Sequence, residues 1–324
     1  MGGAIGTGLF LGSAQVIQAA GPSIILGYAI GGFIAFLIMR QLGEMIVEEP
    51  VAGSFSHFAF QYWGKFPGFL SGWNYWVLYI LVAMSELTAV AKYIHYWWPH
   101  IAAWQSVLFF FIIITAINLT NVKFYGESEF WLAIIKVAAV LAMIVFGLYL
   151  LLTADTNSTA SFSNLWTHGG FFPNGFDGLF YMLAFIMFAF GGIELIGMAA
   201  AEAKDPKATI PKAINQVVLR ILIFYIGSLA ILLSLVPWNQ LDLGGLDKNP
   251  FVMIFTQMGI DWAAHLLNFI ILTAALSVYN SGMYANSRML YGLAQQDNAP
   301  KVFRSVNQQG VPVAAVLLSA LLIF

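Results

Sequence analysis

Apolar runs long enough to cross a lipid hydrocarbon layer recur from one end of this 324-residue chain to the other. A hydrocarbon core of roughly 30 Å takes about 20 consecutive helical residues to span, so the repetition points to an all-α polytopic membrane protein. The same repetition excludes a lone signal peptide. Composition agrees: 60% of the residues are apolar and 9% are charged, too little polar surface to coat a water-soluble globule of this size. With no cysteine in the chain, disulfides, thiolate metal sites and cysteine nucleophiles drop out.

Spans are expected at about residues 3–20, 23–40, 67–95, 104–122, 129–153, 176–201, 216–236 and 262–290, with a ninth beginning near Pro312. Between the second and third, Glu44 to Gly64 carries Phe55, Phe58, Tyr62 and Trp63 at helical spacing and reads as an amphipathic helix in the interface. Ten of the 13 basic residues (Arg40, Lys65, Lys123, Lys204, Lys207, Lys212, Arg220, Arg288, Lys301 and Arg304) fall at one set of alternating span ends. Lys92 and Lys248 lie opposite, and Lys136 is inside a span. The positive-inside rule makes the first set cytoplasmic and turns the loop from Asp155 to Asn174 outward. Tyr96, Trp97, Trp98, Trp104 and Trp238 at span ends suit an aromatic belt. The glycine-rich opening at Gly2 and the half-length apolar stretch from Val313 to Phe324 read as a first and a ninth span cut short.

In lipid, a helix that breaks at mid-depth must line a protein cavity. Two segments invite such a break: Gly3-Ala4-Ile5-Gly6-Thr7-Gly8 in the first span and Phe190-Gly191-Gly192-Ile193-Glu194 in the sixth. They open the two halves of a five-plus-five arrangement, residues 1–153 and 154–324, the position at which glycine-interrupted helices mark a transporter binding site. Freed N–H groups and the positive end of a half-helix suit a carboxylate, and freed carbonyls suit an ammonium, so the expected ligand is zwitterionic. On this reading Ile5, Gly6, Thr7 and Gly8 grip the carboxylate, while Phe190, Gly191 and Gly192 receive the ammonium and gate it. The competing reading is helix packing, since Gly2/Gly6, Gly8/Gly12 and Gly27/Gly31 are all spaced G-x-x-x-G.

An acid at mid-span costs about 2.5–3.5 kcal/mol on insertion scales, which singles out Glu194 and Glu86. Lys136 stands seven residues, two turns, after Glu129 on one helix face; snorkelling to the headgroups is its simpler role. Arg220, near a span end, reads as a snorkelling residue. Glu86, Lys136 and Glu194 are the candidates for proton coupling, with a structural hydrogen bond the equal alternative for Glu86. Asn74, Tyr75, Trp76 and Tyr79 in the third span, and Ser277, Tyr279, Asn280, Ser281 and Tyr284 in the eighth, offer polar and aromatic pocket walls, or ordinary interhelical contacts. Tyr79 with an apolar wall is the candidate ring acceptor. The five histidines are scattered without ligand spacing, and neither a phosphate loop nor a Ser-His-Asp order is present. The chain is not expected to be an enzyme, and no cofactor, metal, nucleic acid or protein partner is expected.

Gly2 to Phe10, Gln41-Leu42-Gly43-Glu44-Met45, Glu49 to Phe55, Gly72 to Trp76, Phe190 to Glu194 and Pro211 to Gln216 together resemble the bacterial amino-acid transporter family of the amino acid–polyamine–organocation superfamily. The resemblance covers the whole chain. Tyr75 to Tyr79, Glu86-Leu87-Thr88 and Ser277 to Ser281 are most similar to aromatic amino-acid and phenylalanine permeases. It implies a LeuT-like inverted-repeat fold in a bacterial inner membrane, substrate held at the breaks of the first and sixth helices, and proton-driven import of phenylalanine, tyrosine or tryptophan. It also implies that Lys136 takes the place of a coupling sodium ion, reaching carbonyls of the first helix. A neutral or branched-chain permease of the same family and a non-transporting amino-acid sensor are the rival expectations.

Overall fold

The computed structural model describes residues 6–10, 12–155, 158–200, 205–241 and 250–324. Among them every regular element is helical. Lipid permits this because each helix satisfies its own backbone polar groups.

The first expected span is α1 (Thr7–Phe10) and α2 (Gly12–Ala20), and a tight turn at Gly21–Ser23 leads into α3 (Ile24–Glu48). The interfacial segment is shorter than expected. α3 continues to Glu48, Pro50 and the left-handed Gly53 (φ +85°) turn the chain, and only α4 (Phe55–Trp63) remains amphipathic, with Phe58 buried and Trp63 exposed. α5 (Lys65–Trp97), α6 (Ala103–Thr120) and α7 (Val122–Leu152) follow. α7 starts a full two turns before the expected boundary because the Asn121 side chain caps it, accepting the Phe124 N–H at 2.7 Å.

After the one-turn α8 (Asn164–Thr167), the sixth span appears as α9 (Gly175–Ala189) and α10 (Leu195–Ala199), separated at Phe190–Glu194. The seventh also starts early, at α11 (Pro206–Arg220), where Asp205 accepts the Ala208 N–H at 3.1 Å. It passes through a π-helical stretch, Ile221–Gly227, into α12 (Ser228–Leu235). A short α13 (Pro250–Gln257), absent from the sequence reading, precedes the 35-residue α14 (Asp261–Gln295), and α15 (Val313–Ile323) closes the order.

Among the described residues six helical runs are long and apolar enough to cross a membrane, the first of them, Gly8–Glu48, holding two of the expected spans. Helix ends gather in two groups. One end joins Gly43 to Ile214, Gly53 to Gly292 and Trp73 to Asn298; the other joins Gly21 to Pro173 and Trp97 to His265. α14 is the buried centre, packed against α5, α6, α7, α13 and α15, whereas α6 and α7 turn most of their surface outward. Gly27 and Gly31 are packing glycines: a Cβ on either would run into Ile186 of α9.

Candidate functional site

The break in the sixth span is built by its own sequence. α9 stops at Ala189, and Gly192 adopts φ +98°, a left-handed conformation open to glycine at little cost. The carbonyl of Ala189 accepts the Tyr225 hydroxyl of the π-helical stretch at 2.9 Å. Glu194 closes the turn: its Oε2 accepts the Gly192 N–H at 2.9 Å, and its Oε1 accepts the hydroxyls of Tyr79 at 2.6 Å and Tyr75 at 3.0 Å, both on α5. One carboxylate thus folds the break upon itself and ties it to the third span. Three hydrogen bonds converging on one carboxyl group make this a firm tether.

Beside the break lies a cavity of about 280 Å³, close to the lower end of ordinary ligand pockets. Gly6, just before α1, and Gly8 on it line one side; α5 contributes Tyr75, Leu78, Tyr79, Val82 and Glu86. Met187, Phe188, Ala189, Gly191 and Glu194 come from α9 and the break, Val278 from α14 and Phe55 from α4. Glycine is needed on α1 for closeness: a Cβ on Gly6 would stand 2.5 Å from Cγ2 of Val278 and 3.4 Å from Oε1 of Glu86, and one on Gly8 would stand 3.1 Å from Cα of Ala189. Aromatic edges gather at one side, with Tyr75 packed 5.0 Å from Phe55 and 4.7 Å from Tyr79 between ring centroids. An apolar slot with aromatic walls, bordered by helix ends and two carboxylates, suits a small molecule that is apolar along its body and charged at one end.

Of the residues singled out in the sequence, Gly6, Gly8, Tyr79, Gly191, Glu86 and Glu194 come together at this cavity. Gly192 supplies the left-handed turn of the break. Phe190 is placed elsewhere: its ring packs against Tyr225 and Tyr28, at 4.7 and 5.7 Å, and the aromatic side chain of this helix that lines the cavity is Phe188. Thr7 enters as the first residue of α1, and Ile5 lies outside the described residues. Lys136 is fully buried on α7, facing away from lipid, with the charges of Glu129, Glu86 and Arg220 acting on its ammonium.

Glu129 escaped the sequence reading as a site. Its Oε1 accepts the Ser277 hydroxyl, its Oε2 accepts the Asn280 amide at 3.2 Å, and Oδ1 of Asn280 accepts from Asn118 of α6 at 2.9 Å. A seam of polar side chains therefore joins α6, α7 and α14. Its signal in the sequence was the two-turn spacing to Lys136. Of the other polar residues noted there, Trp76 bonds Ser319 of α15 at 3.0 Å, and Tyr284 stacks on Tyr125 with centroids 4.1 Å apart and Arg288 over its opposite face. No cluster of metal-ligating side chains occurs among the described residues.

Comparison with known proteins agrees with this architecture. The family model described as amino acid permease matches residues 1–324. The chain is 67% identical to the aromatic amino acid transport protein AroP of Escherichia coli O6:H1 over 321 residues, 99% of the chain and 70% of that protein. Identity to AroP of Escherichia coli K12 is 66% over the same share of each. An amino acid permease of Bacillus subtilis, YtnA, described as uncharacterized, is 47% identical over 322 residues, 99% of the chain and 69% of its own length. A multi-pass helical membrane protein with a broken sixth span, matched from end to end by that family, this chain belongs to the amino acid permeases.

Proposed function

We propose that the chain is a secondary active transporter that imports aromatic amino acids by proton symport across a bacterial inner membrane, with its basic end in the cytoplasm. The observation that carries the reading is the cavity between α1, α5 and the α9–α10 break, apolar and aromatic along its walls and flanked by helix ends. Support for aromatic substrates comes from the two-thirds identity to proteins named aromatic amino acid transport protein.

In this reading the amino-acid backbone lies at the glycine-rich starts of α1 and α10, its carboxylate toward the residues around Gly6 and its ammonium toward Gly191. The ring lies against Tyr79, Phe188 and Phe55. Residues 1–153 and 154–324 form two repeats, and the cavity opens alternately to either side as one set of helices rocks against the other. Glu86, Glu194 and Lys136 are the ionisable groups through which a proton is coupled; no covalent step is involved.

The test is accumulation of labelled phenylalanine in liposomes carrying the purified protein under an imposed pH gradient. Gradient-driven accumulation is expected, with tyrosine and tryptophan competing and leucine and lysine failing to compete. Leucine competing as well as tryptophan points to a neutral amino-acid permease, and binding without accumulation points to a sensor.

A further inference from the structure

Two carboxylates whose charges act on the Lys136 ammonium, Glu86 and Glu129, stand in different compartments of the protein. Glu86, on α5, lines the substrate cavity with Gly6 and Val278. Glu129, on α7, is held in the polar seam by Ser277 and Asn280. Ser277 and Val278 are successive residues of α14, so one residue step around that helix leads from the seam to the cavity. Lys136 has no exposed surface and shares a face of α7 with Glu129, two turns away.

Depth follows the same order. Counted from the basic ends of their helices, Glu129 lies within the first turns of α7, Lys136 two turns further in, and Glu86 in the second half of α5. Helical side chains lean toward their own N-terminus, so the lysine stem inclines toward the Glu129 turn.

Resting on the symport reading above, we infer that Glu129 is a coupling residue: Lys136 exchanges its ionic partner between Glu86 at the cavity and Glu129 at the α7–α14 seam. When Glu86 takes up a proton it loses its charge, and Glu129 is then the carboxylate left facing the ammonium. When Glu86 releases that proton toward the cytoplasm, the lysine returns to it. No proton is gained or lost elsewhere, and the lysine stays charged throughout. The other charged and titratable groups facing this cluster are Arg220 at the end of α11, Tyr125 on α7, and Tyr284 and Arg288 on α14. Leaving a carboxylate in a span costs a few kcal/mol, and three side chains on two neighbouring helices, Ser277 and Asn280 directly and Asn118 through Asn280, are arranged to keep this one there.

Glu129→Gln tests the inference, because the amide keeps the size and an oxygen acceptor for Ser277 but removes the charge. In liposomes, gradient-driven phenylalanine accumulation is expected to fall about tenfold or more, while exchange of internal for external phenylalanine, which needs no net proton movement, stays within about twofold of wild type. Glu129→Asp, which keeps the acid, is expected to regain part of the accumulation. Wild-type accumulation by Glu129→Gln overturns the inference, as does parallel loss of exchange in both variants, which marks a structural role. If Glu129→Gln fails to reach the membrane, Ser277→Ala takes its place: the external-pH profile of uptake shifts, and an unchanged profile overturns the inference. Failure of the transport reading looks different, since wild type itself then neither exchanges nor accumulates phenylalanine.

Discussion

Two interfaces of α14 solve the problem of polar groups in lipid in opposite ways. Toward α7 it pairs side chain with side chain: Glu129, Ser277, Asn280 and Asn118 satisfy one another across three helices. Toward α5 and α1 it presents Val278 and Gly282, and the polar work falls to one carboxylate of a neighbouring break, Glu194, and to backbone left open by glycine. The difference teaches where a ligand can enter. A seam whose side chains bond one another leaves no opening for a substrate, whereas an apolar slot beside interrupted backbone can take a molecule that carries its own charges.

The contrast breaks most sharply at Gly6. Leucine there drives a branched chain into space where even a Cβ meets Val278 and Glu86, and overpacking of this kind is not relieved by small shifts. Gly6→Leu is expected to abolish phenylalanine uptake with protein still present in the membrane; normal uptake removes the cavity from consideration. Glu194→Ala comes next. It strips two α5 hydroxyls and the Gly192 N–H of their acceptor, and at about 1.5–3 kcal/mol for a bond to a charged group the KM for phenylalanine is expected to rise about tenfold or more. Tyr79→Phe and Tyr75→Phe divide that effect. Each removes one donor and leaves the ring in place, so a rise of about threefold is expected for Tyr79, with the shorter bond, and less for Tyr75. Equal KM values for all three variants contradict the tether. The smallest transport effect belongs to Phe190→Leu. This ring packs with Tyr28 and Tyr225 behind the break, so the change is expected to lower the midpoint of thermal unfolding in detergent, at about 1–3 kcal/mol, with KM unaltered. Phe188→Leu is expected to do the reverse, and a swap of these outcomes would put the wrong ring in the cavity.

Much of the fold is legible because lipid leaves a segment few choices: apolar length decides where helices cross. Hydropathy, however, sees only the part of a helix that sits in lipid. α7 and α11 both begin well before their apolar stretches, and their starts were written in capping residues, Asn121 and the Asp205-Pro206 pair, rather than in hydrophobicity. The break at Gly191-Gly192 was readable from two adjacent glycines followed by an acid. The direction of each aromatic ring was not: Phe190, the residue that follows α9, points to Tyr28 and Tyr225, and Phe188, which the sequence did not single out, lines the cavity. The pairing of Glu194 with Tyr79 joins residues 115 apart in sequence and existed only once α5 and α10 were brought together. Glu129 was passed over because its partners, Ser277 and Asn280, are 148 and 151 residues away in the chain.

A chain without cysteine permits a direct test of whether substrate occupies the cavity. A single cysteine is placed at Val82, which lines it, and another at Leu81, 58% exposed on the outer face of α5; a small cationic thiol reagent is then applied with and without phenylalanine. The account predicts that saturating phenylalanine slows modification at position 82 and lysine does not, with position 81 indifferent to both. Modification at position 82 at the same rate in the presence of phenylalanine would contradict it.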